Sequence, residues 1–312
     1  MVVVLTGGTG GAKLVQGLSF IVAPQDLTII CNTADDFFFH GLYIAPDIDT
    51  ITYALAGILD TRKGWGINDD SFVVLEALGK LGGETWFKLG DRDLATHITR
   101  TRLMRAGLTL SQATRAIGES FGVETRIVPM SDEHVETQIT SARGRLAFQE
   151  YFVKHRWQED VLAVTFTGIE NARPAPGTLE AIQNAAAIIV CSSNPVTSIG
   201  PILAVPEMRQ ALRQTPAPVV AVSPIIQETA VSGPAHRLMS ALGLEPSACG
   251  VARAYADFVD TILIAREDEP LRSRIEDLGV RAVAGDIRMD SLEDKKLLAR
   301  TVLQACRERT TR

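Results

Sequence analysis

Residues Val2 to Lys13, VVVLTGGTGGAK, constrain the fold more than any other stretch: an apolar β-type run breaks into four glycines within five positions and then turns helical. A glycine-rich turn between a strand and a helix is suited to holding an anion. Glycine tolerates positive φ and close approach of a ligand, and the helix that follows offers unpaired N–H groups and the positive end of its dipole. Gly7, Gly8, Thr9 and Gly10 are therefore the expected phosphate-binding residues, with Lys13 as their basic neighbour. The pattern is not a dinucleotide fingerprint, which wants a small residue where Lys13 stands. Nor is it a P-loop, which wants Gly-Lys-Ser/Thr where Ala12, Lys13 and Leu14 stand. A helix N-terminus contributes about 0.3–1 kcal/mol toward an exposed anion. That is too little to offset desolvating a diphosphate, so basic side chains or a divalent cation must complete such a site.

The chain has 312 residues, enough for one large α/β domain or two smaller lobes. Hydrophobic residues at 46% and charged residues at 22% exclude a disordered chain. A net charge of −6, with no long Lys/Arg block, excludes a nucleic-acid polymer as partner. Cys31, Cys191, Cys249 and Cys306 are scattered singly, without metal-ligand spacing, and read as reduced thiols. No apolar run approaches the roughly 18–20 residues of a membrane span, and no basic leader precedes the first strand. The expectation is a cytoplasmic protein, with no membrane partner, that forms a homodimer.

Along the chain, a helix over Leu14–Ile21 and a strand over Leu27–Cys31 complete a β-α-β unit. The glycine turn and the Asp35/Asp36 turn then lie on one carboxyl edge of a parallel sheet, where ligands bind. Helices are expected over Thr50–Leu59 and Ser71–Leu81, a strand over Trp86–Leu89, and a helix capped by Asp93 running to Arg105. Thr109 and Gln112 form a capping-box pair. Short β-rich runs follow at Thr125–Val128, Glu136–Thr140 and Leu146–Val153. The α/β alternation returns with strands at Val161–Phe166, Ile188–Cys191, Val219–Ser223, Thr261–Ile264 and Arg281–Ala284, and a final helix spans Leu292–Arg307. This order predicts a Rossmann-like parallel sheet with helices on both faces, built from residues 1–93 and 159–312, with 94–158 as an inserted α+β lobe.

Two acidic turns, Asn32-Thr-Ala-Asp-Asp36 and Pro46-Asp47-Ile-Asp-Thr50, supply the oxygen ligands that Mg²⁺ shares with substrate phosphates. Asp36 and Asp49 are the expected metal pair, the alternative being that these aspartates cap helices or pin turns. Phe37, Phe38 and Phe39 are expected in the core, and His40 and His97 are assigned no role. Trp65, between Gly64 and Gly66, can lie against a flat ring system or pin its loop. Lys88 and Arg92 can position a substrate or form a structural ion pair. The hydroxyl- and amide-rich run Cys191–Pro201, which includes Ser193, Asn194 and Ser198, follows an apolar strand. With Ser223-Pro224 and Ser232-Gly-Pro234 it suggests one continuous cleft along the strand ends.

Together these segments resemble the 2-phospho-L-lactate transferase family of coenzyme F-420 biosynthesis. The matching pieces are LTGGTGGAKLVQGL (Leu5–Leu18), NTADD (Asn32–Asp36), HGLYIAPDIDT (His40–Thr50), GWG (Gly64–Gly66), KLGDRDLATH (Lys88–His97), PMSDEHVET (Pro129–Thr137), FQEYFV (Phe148–Val153), SSNPVTSIGPIL (Ser192–Leu203), VSPII (Val222–Ile226) and VSGPA (Val231–Ala235). The resemblance implies a Mg²⁺-dependent transferase. It would move a phospholactyl or phosphoenolpyruvyl group from a guanosine diphosphate-linked donor to the ribityl hydroxyl of 7,8-didemethyl-8-hydroxy-5-deazariboflavin, releasing GMP. It further implies Asp49 and Lys88 as the deazaflavin-binding pair, with Asp36 and Asp49 near the metal; Trp65 and Arg92 are expected to contact the same acceptor, and Asp49 to orient its hydroxyl. The glycine turn and the Ser192–Ser198 loop would face the nucleotide. The competing expectation is a non-enzymatic, nucleotide-sugar-binding regulatory protein of the same superfamily.

Overall fold

The computed structural model describes residues 1–227, 229–230 and 233–308. Seven strands make one parallel sheet: β1 (Val2–Thr6), β2 (Leu27–Cys31), β3 (Arg126–Pro129), β4 (Ala187–Val190), β5 (Val219–Val222), β6 (Thr261–Ala265) and β7 (Arg281–Gly285). Their spatial order is β7-β6-β5-β4-β1-β2-β3. This is the doubly wound arrangement, and its direction of winding reverses between β1 and β4. The apolar runs of the strands follow from it, since a parallel sheet covered on both faces has no solvent side. In β1, Val3 and Leu5 enter one core and Val4 the other, the period-two alternation serving two helical layers. The expected fold class is therefore observed.

Helix α1 (Gly8–Ser19) follows β1 directly, and α2 (Pro46–Leu55) packs against it. Helix α3 (Asp91–Arg105) leads to Leu110–Ser120, whose Thr109/Gln112 capping box forms as expected. The last helix, α4 (Leu292–Arg307), lies against α1. No helix among the described residues is long and apolar enough to cross a membrane. The four cysteines are free and buried.

Several local expectations are corrected. Trp86–Leu89 is not a strand; Phe37, Phe39, Trp86 and Phe87 gather instead into an aromatic cluster, with Phe37 and Phe87 edge-to-face at 4.9 Å, so packing holds this segment without a ladder. Phe38, expected in the core, is 64% exposed because it alternates outward in the Phe37–Phe39 strand of a small hairpin. Helix α2 begins at Pro46 rather than Thr50, placing Asp47 and Asp49 in its first turn. The α3 cap is not Asp93. Asp70 accepts from the N–H groups of Arg92 and Asp93 at 2.9 and 3.0 Å, while Asp91 accepts from those of Val73 and Val74, both at 3.0 Å, capping helix Val73–Lys80 in return. This exchange leaves Asp93 facing inward.

The strand expected near Thr125–Val128 is β3, the edge of the main sheet rather than part of a separate lobe. Ala163–Thr167, expected to resume that sheet, pairs antiparallel with Glu136–Ser141, which also pairs with Gly144–Ala147. Neither strand thus falls on the side of the 94–158 boundary that local pattern assigned to it. Nor does β structure continue to Val153. Glu150–Lys154 is π-helical, Phe148 and Phe152 stack at 5.5 Å, and Phe148, Gln149, Phe152 and Val153 face one cavity, which only a helical path allows.

Candidate active site

The loops after β1 and β4 meet where the winding reverses, the position at which open α/β sheets bind ligands. The Gly7 N–H donates to Ser193 Oγ at 3.2 Å, and the Ser193 hydroxyl donates back to the Gly7 carbonyl at 2.7 Å. Gly8 has φ +66°, and a Cβ on Gly10 would stand 2.6 Å from the Ser192 carbonyl oxygen. Here the glycines allow a left-handed turn and backbone-to-backbone approach.

A cavity of about 310 Å³ opens along this seam. Gly7, Gly8, Thr9, Gly10, Asp49, Trp65, Lys88, Ser193, Asn194 and Ser198 all reach its wall. Gly233 and Pro234 reach it as well, while Val231 and Ser232 lie outside the described residues. Trp65 sits between Gly64 and Gly66, at φ +79° and +71°, and remains 37% exposed. Its loop folds over Asp60, which binds Lys63 Nζ at 2.9 Å, and a Cβ on Gly64 would lie 3.3 Å from Thr9 Cγ2. The tryptophan loop therefore rests on the glycine turn.

A second hollow of about 470 Å³ lies on the far side of that turn, lined by Lys13, Ser223, Gln227, Ile287, Arg288 and Asp290 among others. Thr9, Gly10 and Ser192 belong to both walls. Three expected site residues are not on the first wall. Lys13 faces the second hollow. Arg92 is turned away, its guanidinium donating to the Asn68 carbonyl at 3.0 Å. Asp36 is buried behind the wall, beside the Tyr43 hydroxyl and within reach of the Arg100 charge.

The acidic turns are joined by Asn32. Its Nδ2 donates to Asp47 Oδ2 at 2.9 Å, and its Oδ1 accepts from the Ala34 N–H at 3.0 Å. Burial, with the nearby Asp47 charge, pushes the Asp35 carboxyl well above the usual carboxylate range. Burial also pushes Asp47 up to about 6, against hydrogen bonds from Asn32 and the Gly8 N–H. Asp35 Oδ1 has no hydrogen-bond partner.

Asp49 has a different environment. Arg100, wholly buried, holds both of its oxygens, with Nη2 on Oδ1 and Nη1 on Oδ2, the latter at 3.0 Å. His97 Nδ1 lies 3.5 Å from Asp49 Oδ2, and its Nε2 lies 3.3 Å from Asp93 Oδ1. Tyr53 donates to Asp93 at 2.6 Å. Burial raises Asp93, but its contacts with His97 and Tyr53 and the Arg100 charge hold it below the usual range. Asp49, Asp93 and His97 bring ligand atoms within 4.8 Å of one another. The Arg100 guanidinium already neutralises Asp49, however, so this is not where a hard cation is most needed. Of the expected Asp36–Asp49 metal pair, Asp49 is on the wall and bonded to Arg100, while Asp36 is off it.

A family profile described as 2-phospho-L-lactate transferase CofD matches residues 2–305. The chain belongs to the CofD family. The 2-phospho-L-lactate transferase of Methanosarcina mazei is 42% identical over 303 residues, covering 97% of this chain and 99% of that one. The phosphoenolpyruvate transferase of Streptomyces griseus is 41% identical over 313 residues, covering 98% of each. A solved UPF0052-family structure from Bacillus halodurans superposes with a TM-score of 0.66 over 97% of this chain and 98% of that one. At 17% identity, that likeness is one of fold. Within this CofD chain, sequence reasoning passed over His97 and Arg100. The available signal was their spacing from Asp93, i, i+4 and i+7, which puts three ionisable groups on one helical face.

Proposed function

We propose that this chain transfers a phospholactyl or phosphoenolpyruvyl group from a guanosine diphosphate-linked donor to the ribityl hydroxyl of 7,8-didemethyl-8-hydroxy-5-deazariboflavin. The observation that carries this reading is the pair of hollows that share Thr9, Gly10 and Ser192. The first is walled by Trp65, Phe87, Phe148 and Phe152 and suits a flat tricyclic acceptor. The second, with Lys13 and Arg288, suits the nucleotide end of an anionic donor. Their seam is the glycine turn, so the reacting phosphorus would lie where backbone N–H groups converge. Attack by the hydroxyl forms an O–P bond as the P–O bond to GMP breaks, and the hydroxyl proton is released. Such transfer depends on alignment and charge neutralisation more than on a covalent nucleophile. Asp49 would orient the hydroxyl, with Lys88 beside it.

The donor set fits Mg²⁺. Asp35 and Asp47 face the cavity, repel each other when ionised, and leave Asp35 Oδ1 without a partner. These two would hold the ion, which when bound would neutralise charge on the donor diphosphate. The test is mass spectrometry of products after incubating the protein with deazaflavin, Mg²⁺ and lactyl- or enolpyruvyl-diphosphoguanosine in turn. A phosphodiester-linked deazaflavin plus GMP from one donor is expected. Binding of a UDP-sugar without any transfer would replace this reading with the regulatory one.

A further inference from the structure

Helix α3 turns Asp93, His97 and Arg100 toward α2, and all three are buried, at 7%, 2% and 0% exposure. Asp93 and His97 reach the cavity wall, whereas Arg100 does not: its guanidinium grips Asp49 through both oxygens, and its Nη1 lies 3.4 Å from His97 Nδ1. The contacts form a closed circuit. From Asp49 on α2 they run to Arg100 and His97 on α3, from His97 to Asp93, and from Asp93 back to Tyr53 on α2.

Burying a guanidinium costs several kcal/mol in desolvation, and its partner at best offsets that, so well-packed apolar residues of similar volume would hold the two helices at least as firmly. What apolar residues cannot supply is a two-point grip on a carboxylate. A guanidinium bonded to both oxygens sets the plane of the carboxylate as well as its distance, and lysine, a point charge, sets only the distance. Misplacement of a reacting group by about 1 Å can cost on the order of 100-fold in rate.

We infer that Arg100, supported by His97, Asp93 and Tyr53, is a positioning residue that fixes the Asp49 carboxylate toward the acceptor hydroxyl and acts entirely through it. This rests on the transferase reading above. The test is a double-mutant cycle with Arg100→Lys, Arg100→Met, Asp49→Asn and the combined variants, read in kcat, in KM for donor and acceptor, and in thermal unfolding. Arg100→Lys is expected to unfold near the wild-type temperature and keep its donor KM, while losing about 10- to 100-fold in kcat. On an Asp49→Asn background, replacing Arg100 should change the rate by less than about twofold, because its route of action is already cut. Wild-type turnover by Arg100→Lys, or losses that multiply in the double variant, would overturn the inference. Should Arg100→Met fail to fold, the lysine variant completes the cycle. Product formation by the wild-type protein reports on the transferase reading by itself. Should the wild type form no product, the same cycle read as deazaflavin affinity by fluorescence must show the same non-additivity, or the inference fails.

Discussion

Replacing Gly10 by alanine tests the seam between the two hollows. The added Cβ would lie 2.6 Å from the Ser192 carbonyl oxygen, with the rest of Ser192 no closer than 3.7 Å. The collision is therefore with one backbone atom that cannot rotate away. An ordinary contact needs roughly 0.8 Å more, so the start of α1 must lift from the loop after β4. The steric cost of such overpacking is about 1–3 kcal/mol. The two Gly7–Ser193 hydrogen bonds bridge the same gap, and each contributes about 1 kcal/mol that stretching would weaken. At about 1.5 °C per kcal/mol for a chain of 312 residues, the melting temperature should fall by roughly 2–8 °C. On the proposed reading, which sets the donor phosphates at this turn, the donor KM should rise more than the acceptor KM. Differential scanning fluorimetry and initial rates with either substrate varied measure both effects. Gly285→Ala is the control, since its Cβ would meet nothing within 4 Å; it should leave both parameters unchanged. A Gly10→Ala protein with wild-type melting and donor KM would refute the claim that close backbone approach holds the seam.

Four further outcomes are expected. Asp47 titrates near 6 in the fold against an ordinary 3.8, so the folded state binds this proton more tightly. Stability contributed at low pH is lost as pH rises through that window, a cost on the order of 3 kcal/mol once the group is ionised. Added Mg²⁺ should therefore raise the melting temperature more at about pH 8 than at about pH 4.5; equal rises would remove the ion from Asp35 and Asp47. Trp65→Ala should weaken deazaflavin binding about 10-fold through loss of ring contact, as read by fluorescence titration. Arg92→Ala should leave that affinity unchanged, because its guanidinium bonds the Asn68 carbonyl away from the wall. Gly17→Ala should destabilise by about 1–3 kcal/mol in denaturant titration without altering either KM, since its Cβ would strike the Lys295 carbonyl where α1 meets α4.

Local chemistry was sufficient for most strands of the main sheet and for the glycine turn, but not for the membership of Arg126–Pro129 and Ala163–Thr167. The run from Val2 to Lys13 announces strand, turn and helix by itself, because the glycines and the apolar residues act on their own backbone and immediate neighbours. The C-terminal strands and the final helix, Leu292–Arg307, were legible for the same reason. By contrast, Asp49 and Arg100 lie 51 positions apart, and nothing in either neighbourhood records that they pair. The separation of Lys13 from Lys88 by the glycine turn, the withdrawal of Asp36 and the inward rotation of Asp93 depend on which helices cap and cover one another. Sequence determined that a glycine-rich turn would join a strand to a helix at the carboxyl edge of a parallel sheet. Only the tertiary structure decided which carboxylate is paired with arginine and which are buried without a cationic partner, because charge compensation in a buried site is set by through-space distance and not by order along the chain.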